Sequence, residues 1–276
     1  MELTWFESFI YGIVSGLSEF LPISAEAHKA LYLRIVGATD YGLLRFMTHM
    51  GALLALMISC WPMIAKLNRE RSIAAVNKKR RKRAPDTRSL TDIRFLRICV
   101  ISLVLLFIIY PIVHDLHERL WILAGFLIVN GIVLYVPQFL PSANKDSRSL
   151  SSLDAMMVGL GGGLGIIPGL SRIAMSASFG MMRGATKRYA LDTALILSIP
   201  ALAVLLLIDF FAIFTTSAGL TFLAILSCIT AGITSFLSAF AGIYMMRFLA
   251  VRAGFSGFAY YSWGLSLFSF ILYLMI

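Results

Sequence analysis

The sequence predicts an all-α integral membrane protein made of two inverted-topology repeats, each a re-entrant helix pair plus three transmembrane helices. Hydrophobic residues make up 59% of the 276 positions and charged residues only 14%, whereas soluble domains contain about 25% charged residues. Apolar segments long enough to cross a bilayer recur along the whole chain. Two further apolar segments are interrupted near the middle by glycine, proline and polar residues. A soluble globule, a coiled coil and a disordered tail are therefore excluded.

Six apolar segments are continuous, and each has about the 20 residues that a helix needs to cross the hydrocarbon core. The interrupted segments are instead predicted to be re-entrant pairs of half-helices, because irregular backbone at membrane depth must be buried in protein. The predicted spans are 43–65, 95–113, 120–140, 189–210, 220–246 and 255–275, and the predicted re-entrant pairs are 5–36 and 153–184.

The order of these segments predicts two repeats in a single membrane domain, the first over residues 1–141 and the second over residues 142–276. Each repeat crosses the membrane an odd number of times, so the second is inverted relative to the first. Broken segments at equivalent positions of two inverted halves predict a functional site between them.

The distribution of basic residues predicts the orientation. The loop 66–97 contains 12 of the 24 Lys and Arg residues, and the positive-inside rule places it in the cytoplasm with both termini outside. This loop lies between two spans, so its run Lys78–Arg83 is predicted to face the cytoplasm and anionic lipid. No nucleic-acid partner is predicted, although the net charge is +10. The three cysteines lie singly in apolar segments, which predicts neither a disulfide framework nor a zinc site.

The first broken segment carries ionisable residues on both sides of Pro22. Glu19 precedes the proline, and Glu26 and His28 follow it. An ionisable residue inside a membrane costs at least ~2.5 kcal/mol on insertion scales, so it predicts a functional site. A helix restarting near Ser24 would offer its N-terminus to an anion, and Ser24 is interpreted first as the N-cap of that helix.

The second broken segment brings a fixed cation to the start of a half-helix. Ser171 can cap this helix, and Arg172 follows it. A guanidinium beside a helix N-terminus is a phosphate-binding arrangement. The alternative is that Arg172 neutralises Glu19 or Glu26. Both interpretations hold together if an anion or a metal ion rearranges a resting ion pair.

Two motifs resemble a known family, the bacterial undecaprenyl-pyrophosphate phosphatases of the bacitracin-resistance type. The first motif is GLSEFLPIS at 16–24 with His28 beyond it, and the second is PGLSR at 168–172. The resemblance continues through Arg183-Gly184 and LSIPA at 197–201, and it covers nearly the whole chain.

The resemblance implies a multi-pass enzyme of the bacterial cytoplasmic (inner) membrane. It would remove the terminal phosphate of a polyprenyl diphosphate and so produce the monophosphate carrier for cell-wall and surface-polysaccharide synthesis. The site would lie at the outer side, with a divalent cation, Mg²⁺ or Ca²⁺, helping to hold the diphosphate. The oligomeric state is left open.

Residue by residue, the resemblance implies that Glu19 is a metal ligand or a base and that His28 is an acid–base group or supports a nucleophile. Arg172 would bind phosphate oxygens. The predicted catalytic residues are Glu19, Glu26, His28, Ser171 and Arg172, and the predicted phosphate-binding residues are Ser24, Ser171, Arg172 and Ser176.

The sequence departs from the pattern of the family it resembles. Ser15 stands where the family has a first glutamate, Ala25 where it has a second serine, and Glu26 where a small hydroxyl residue is usual. Glu26 could replace the missing carboxylate and join Glu19 as a metal ligand. His49, where the family has a polar amide, could add a base, or it could simply bond to a neighbouring helix.

Two alternative functions stay open at this point. One is a transporter or flippase of polyprenyl phosphate or a related anionic lipid, since inverted repeats with broken helices are a transporter architecture. The other is a phosphatase for a different lipid diphosphate. Asp209, near one end of its span, is expected to reach water.

Overall fold

The computed structural model describes residues 2–39, 41–76, 84–113, 115–116, 119–140, 144–216, 220–252 and 255–275. Within these ranges the regular structure is helical, together with one isolated parallel bridge between Lys145 and Ala185. The basic run Lys78–Arg83 lies outside the described residues.

The described residues form eleven α-helices. Short 3₁₀ turns at Phe107–Ile109 and Val136–Phe139 extend two of them. In chain order the helices are α1 (Trp5–Phe20), α2 (Ala25–Val36), α3 (Gly42–Ala75), α4 (Thr87–Leu106), α5 (Tyr110–Val113), α6 (Leu120–Tyr135), α7 (Ser152–Leu164), α8 (Arg172–Met182), α9 (Lys187–Thr216), α10 (Phe222–Arg252) and α11 (Ser256–Met275).

Within the described ranges, six helical segments are long and apolar enough to span a membrane, which confirms the all-helical membrane fold. They are Gly42–Ala75, Thr87–Val113, Leu120–Phe139, Lys187–Thr215, Phe222–Leu249 and Ser256–Met275. The pairs α1–α2 and α7–α8 are shorter. Even α1, with 16 residues, is about 24 Å long, less than the ~30 Å hydrocarbon core. Their lengths fit the predicted re-entrant pairs.

Four helices are longer than the spans predicted for them. Helix α3 continues to Ala75 beyond 65, α9 to Thr216 beyond 210 and α10 to Arg252 beyond 246, while α4 begins at Thr87 before 95. A helix satisfies its own backbone hydrogen bonds, so it need not end where the apolar segment ends. The buried Glu70 of α3 accepts a hydrogen bond from the backbone of Asp86 at 3.0 Å, which joins the polar ends of α3 and α4.

The helix contacts are reciprocal between the two halves of the chain. Helix α1 packs along α10, and α7 packs along α4. Helix α3 packs against α10 and α9 against α4, while α3 meets α9 and α6 meets α11. This arrangement is compatible with two inverted repeats. Their orientation stays a prediction, which labelling of a cysteine placed near Lys79 would test, because the label should reach it only after membrane permeabilisation.

Glycines allow the closest of these contacts. A Cβ atom added at Gly12 or Gly16 would collide with backbone of α10, and one added at Gly159 of α7 would collide with the backbone of Cys99 in α4. Small residues let membrane helices approach closely. The broken segments are therefore held tightly against the long helices of the opposite half.

Candidate active site

The two broken segments meet through their capping serines. The Ser24 hydroxyl accepts a hydrogen bond from the backbone N–H of Gly169 at 3.2 Å. In return, the Ser171 hydroxyl donates to the backbone carbonyl of Leu21 at 3.3 Å. These bonds bring the start of α2 and the start of α8 to one place in the membrane.

Both serines are also N-caps, as predicted for Ser24. Its hydroxyl oxygen accepts from the backbone of Ala27 at 3.3 Å, and that of Ser171 accepts from Ala174 at 3.3 Å. Ser24 has φ +65°, the one non-glycine residue with positive φ in the described part of the chain. Strained backbone of this kind persists only where the surrounding structure enforces it.

Asn130 of α6 connects the two breaks through hydrogen bonds. Its side-chain amide donates to the carbonyl of Pro22 at 3.1 Å and to Ser262 at 3.0 Å, while its oxygen accepts from the backbone of Ser171 at 2.9 Å. The residue is fully buried. One side chain thus satisfies backbone groups that both interruptions leave without a helical partner.

A cavity of about 50 Å³ lies beside this junction. That volume accommodates a few water molecules. Its polar or ionisable lining residues are Glu19, Glu26, Arg45, His49, Tyr110, Ser171, Arg172 and Asp209, and the others are Ala25, Phe107, Gly165, Ile166, Pro168, Leu170 and Leu205.

Arg172, the first residue of α8, forms an ion pair with Glu19 at the end of α1. Gly165 packs directly on Arg172, and any larger residue there would collide with it. The Nη1 atom of Arg172 is buried and has no hydrogen-bond partner among the described residues. The guanidinium is therefore anchored by Glu19 and keeps an unused donor.

A second group of charged side chains lies in the cavity wall, with Lys29 next to it. Lys29 Nζ lies 2.5 Å from Glu26 Oε1 and 3.0 Å from His49 Nε2. His49 Nδ1 lies 2.6 Å from Asp209 Oδ2, and Arg45 Nε donates to Asp209 Oδ1 at 3.1 Å. These five side chains connect α2, α3 and α9.

The structure brings five predicted residues to the cavity and leaves three outside its lining. Those in the lining are Glu19, Glu26, His49, Ser171 and Arg172. Outside it, Ser24 bonds to backbone, and the ring of His28 stacks on Tyr261 with a centroid distance of 5.7 Å. Ser176 lies one turn beyond Arg172, and its buried hydroxyl has no partner among the described residues.

Both ring nitrogens of His28 are engaged away from the cavity. Its Nδ1 lies 2.8 Å from the Ser24 carbonyl and its Nε2 lies 2.7 Å from the Tyr261 hydroxyl. The acid–base role that the resemblance implies for His28 stays a prediction, and this geometry does not bring the ring to the cavity.

The expectation for Asp209 was wrong. The side chain is 1% exposed and bonds to His49 and Arg45 instead of reaching water. Lys29 of the same group is likewise buried. Local spacing does carry a signal for this cluster, since Glu26 and Lys29 are three residues apart and Arg45 and His49 four apart, so each pair shares a helix face.

The predicted cation ligands, Glu19 and Glu26, each contact a basic side chain of the protein, Arg172 and Lys29 respectively. Among the described residues, no group of three or more His, Cys, Asp or Glu is close enough to hold a metal ion. Both carboxylates are paired with basic side chains in this arrangement, and their role as cation ligands stays a prediction.

Known proteins match this chain over most of its length. An undecaprenyl-diphosphatase of Micrococcus luteus is 35% identical over 72% of each chain. Proteins of the same name from Carboxydothermus hydrogenoformans and Desulforapulum autotrophicum are 27% and 26% identical, the first over 94% of this chain and 93% of its own length, the second over 98% of both. The family described as bacitracin resistance protein BacA matches residues 8–268. The chain therefore belongs to the bacitracin resistance protein BacA family.

Proposed function

We propose that the protein is a polyprenyl-diphosphate phosphatase that hydrolyses undecaprenyl diphosphate to undecaprenyl phosphate and inorganic phosphate. Family membership supports this proposal, and the similar proteins quoted above carry the name of that activity. The cavity inside a multi-pass membrane protein suits a substrate whose charged head must be reached from the bilayer.

The observation that carries the proposal is the unused donor of Arg172. A buried guanidinium nitrogen without a partner is costly in a membrane interior, because a buried unsatisfied donor loses its hydration without compensation. Its position at the start of α8 adds the positive end of that helix. An anion with several oxygens, such as a terminal phosphate, would accept a hydrogen bond from Nη1 and also interact favourably with the N-terminus of α8.

Phosphate binding at Arg172 would compete with Glu19. A planar guanidinium can present two parallel N–H groups to a phosphate, and Glu19 holds part of that fork at rest. The terminal phosphate would therefore take over the contact that Glu19 makes and also engage Nη1. Developing negative charge on the transferred phosphoryl group would be stabilised there.

The charges around the cavity support a cation that arrives with the substrate. The site has no net charge when His49 is neutral, because three basic residues (Arg172, Arg45 and Lys29) balance three acidic ones (Glu19, Glu26 and Asp209). The negative charge of a bound diphosphate would therefore not be neutralised by the protein. Uncompensated charge at low dielectric is strongly unfavourable. Mg²⁺ or Ca²⁺ bound to the diphosphate would supply the missing positive charge.

The proposed substrate implies a membrane location and a set of partners for the protein. Undecaprenyl phosphate carriers are used at the bacterial cytoplasmic membrane, where we place the protein, with the cavity on the outer side. The lipid and the bilayer are its proposed partners. Co-sedimentation with inner-membrane fractions and cross-linking in membranes would test the location and the oligomeric state.

Phosphate release by purified protein in nanodiscs tests the function directly. We expect release from undecaprenyl diphosphate with added Mg²⁺ or Ca²⁺, slower release from farnesyl diphosphate, and loss of activity in Arg172→Ala. Arg247→Ala is the matched control, because Arg247 contacts Ser59 and Cys60 away from the cavity. Lipid transfer between vesicle leaflets without phosphate release would instead identify a carrier, and faster release from a different lipid diphosphate would change the substrate.

A further inference from the structure

His49 occupies a position in the cavity wall that phosphate binding by Arg172 does not explain. It is 2% exposed, in the middle of a group of buried charges. Asp209 of α9 contacts the Nδ1 atom of the imidazole ring, and Lys29 of α2 contacts the Nε2 atom. Arg45, on the same helix as His49, bonds to the other oxygen of Asp209. Ionisable groups at membrane depth are functional candidates because of their cost.

The partners of His49 fix its tautomer. Asp209 accepts hydrogen bonds from Arg45 and lies 2.6 Å from Nδ1, so Nδ1 carries the proton and donates it. Nε2 then has a lone pair, and the Lys29 ammonium, which can only donate, lies 3.0 Å from it. A carboxylate that orients a histidine in this way makes the other ring nitrogen a base.

The serines near the cavity are poorly placed to act as nucleophiles. The Ser171 hydroxyl donates a hydrogen bond to the carbonyl of Leu21 and accepts one from the backbone N–H of Ala174. The Ser24 hydroxyl accepts from two backbone N–H groups and does not line the cavity. Ala25, which does line the cavity, offers no hydroxyl. The cavity has room for water, so water is the nucleophile that this geometry favours.

We propose that His49, positioned by Asp209, is the general base that activates the attacking water. This inference rests on the phosphatase function proposed above. As the water oxygen bonds to the terminal phosphorus, its proton passes to Nε2 of His49. The bond between that phosphorus and the bridging oxygen breaks, and the electron pair stays with the lipid monophosphate. The proton then leaves His49 with the inorganic phosphate.

In this scheme Lys29 and Asp209 are positioning residues. Lys29 remains bound to Glu26 when water replaces it at Nε2. Asp209 holds the ring and stabilises the imidazolium that forms, as a buried carboxylate can. The other charged groups around the cavity are Glu26 from α2, Arg45 from α3, and Glu19 and Arg172 from α1 and α8.

The test compares kcat and KM for undecaprenyl diphosphate in wild type, His49→Gln and Asp209→Asn. We expect His49→Gln to lower kcat by about 10²- to 10⁴-fold, the usual contribution of acid–base catalysis, with KM little changed. Asp209→Asn should lower kcat by at least about tenfold, since an amide can select the wrong tautomer. Thr48→Val is the matched control, because Thr48 is buried next to His49 and bonds only within its own helix through its hydroxyl.

A second measurement uses the wild type alone and does not depend on how the variants fold. Acid quenching of a single turnover with the terminal phosphate radiolabelled should yield no labelled protein. A phosphoserine at Ser24 or Ser171 would overturn direct attack by water, and wild-type kcat in a folded His49→Gln would overturn the role of the histidine. No phosphate release by wild type would refute the proposed function itself and this inference with it.

Discussion

The two broken segments have the same architecture but opposite charges in the first turn of the helix that follows. Helix α2 begins with Ala25 and Glu26, whereas α8 begins with Arg172. A carboxylate in the first turn is favourable there, and a cation in that place is not. The first break therefore supplies its own negative charge, and the second concentrates positive charge.

This difference explains why an anion would bind at the second break. The positive end of α8 and the Arg172 guanidinium act on the same space, and among the described residues Glu19 is the acidic partner that offsets them. At the first break, Glu26 is already offset by Lys29. The asymmetry predicts different tasks for the two breaks, although each lies between two short helices.

Replacing Arg172 by lysine should have the largest effect. We expect kcat/KM for phosphate release to fall by roughly 10²–10³, the range found when one donor to a developing oxyanion is removed, because a point charge cannot replace the guanidinium fork. Arg247→Lys, which conserves the charge elsewhere in the membrane domain, should leave the rate unchanged. Equal activity in Arg172→Lys would remove the basis for placing the phosphate at α8.

Asn130→Leu should uncouple the two breaks. It leaves the Pro22 carbonyl and the Ser171 N–H buried without a partner, at a cost of about 1–3 kcal/mol for each such group. The expected result is a lower melting temperature in detergent. Ser262→Ala removes one bond from the same amide and leaves both breaks connected, so its effect should be smaller. Equal melting temperatures for both variants would contradict the conclusion that Asn130 connects the two breaks.

The predicted cation dependence is tested at the first break. Phosphate release measured against Mg²⁺ and Ca²⁺ concentration should rise in wild type and fall after chelation. Glu26→Gln should reduce the cation-stimulated rate roughly tenfold, comparable to the loss of one charged hydrogen bond, and Ser15→Glu in that background should partly restore it. A wild-type rate in Glu26→Gln would show that Glu26 does not replace the carboxylate missing at Ser15.

The smallest expected difference concerns the two caps. Ser171→Ala and Ser24→Ala should each lower stability by about 1 kcal/mol through the lost cap. With glycine instead, Ser24→Gly should cost less than Ser171→Gly, because only Ser24 has a positive φ that glycine accepts without strain. Thermal unfolding of the four variants in one detergent provides the comparison, and identical values for the two glycine variants would argue against strain at Ser24.

Local patterns in the sequence predicted the helical architecture and the part of the site around Arg172 and Glu19. Apolar length predicted the six spans, and Pro22 and the glycine-rich segment before Arg172 predicted the two breaks, because these signals act within one helix. The pairing of Arg172 with Glu19 was anticipated as one of two choices. An intramembrane charge requires a partner, and two carboxylates, Glu19 and Glu26, flank the break in the other segment.

The rest of the site depends on contacts between distant helices. Asp209 was missed because its partner His49 lies 160 residues earlier in the chain, and only the packing of α9 on α3 makes them neighbours. Asn130 was missed for the same reason, although an amide inside an apolar span is itself a signal. Lys29 and Arg45 were not predicted as site residues, because their partners His49 and Asp209 lie on other helices.

The Glu19–Arg172 ion pair also predicts selectivity against small soluble anions. Glu19 is attached to the same molecule as the guanidinium, so it acts as an internal competitor whose effective concentration can reach the millimolar range or above. Free phosphate or a nucleotide would have to displace it with headgroup contacts alone. The tail of a polyprenyl diphosphate would instead concentrate its headgroup in the bilayer beside the site, so we expect it to displace the carboxylate where soluble phosphates at cellular concentrations would not.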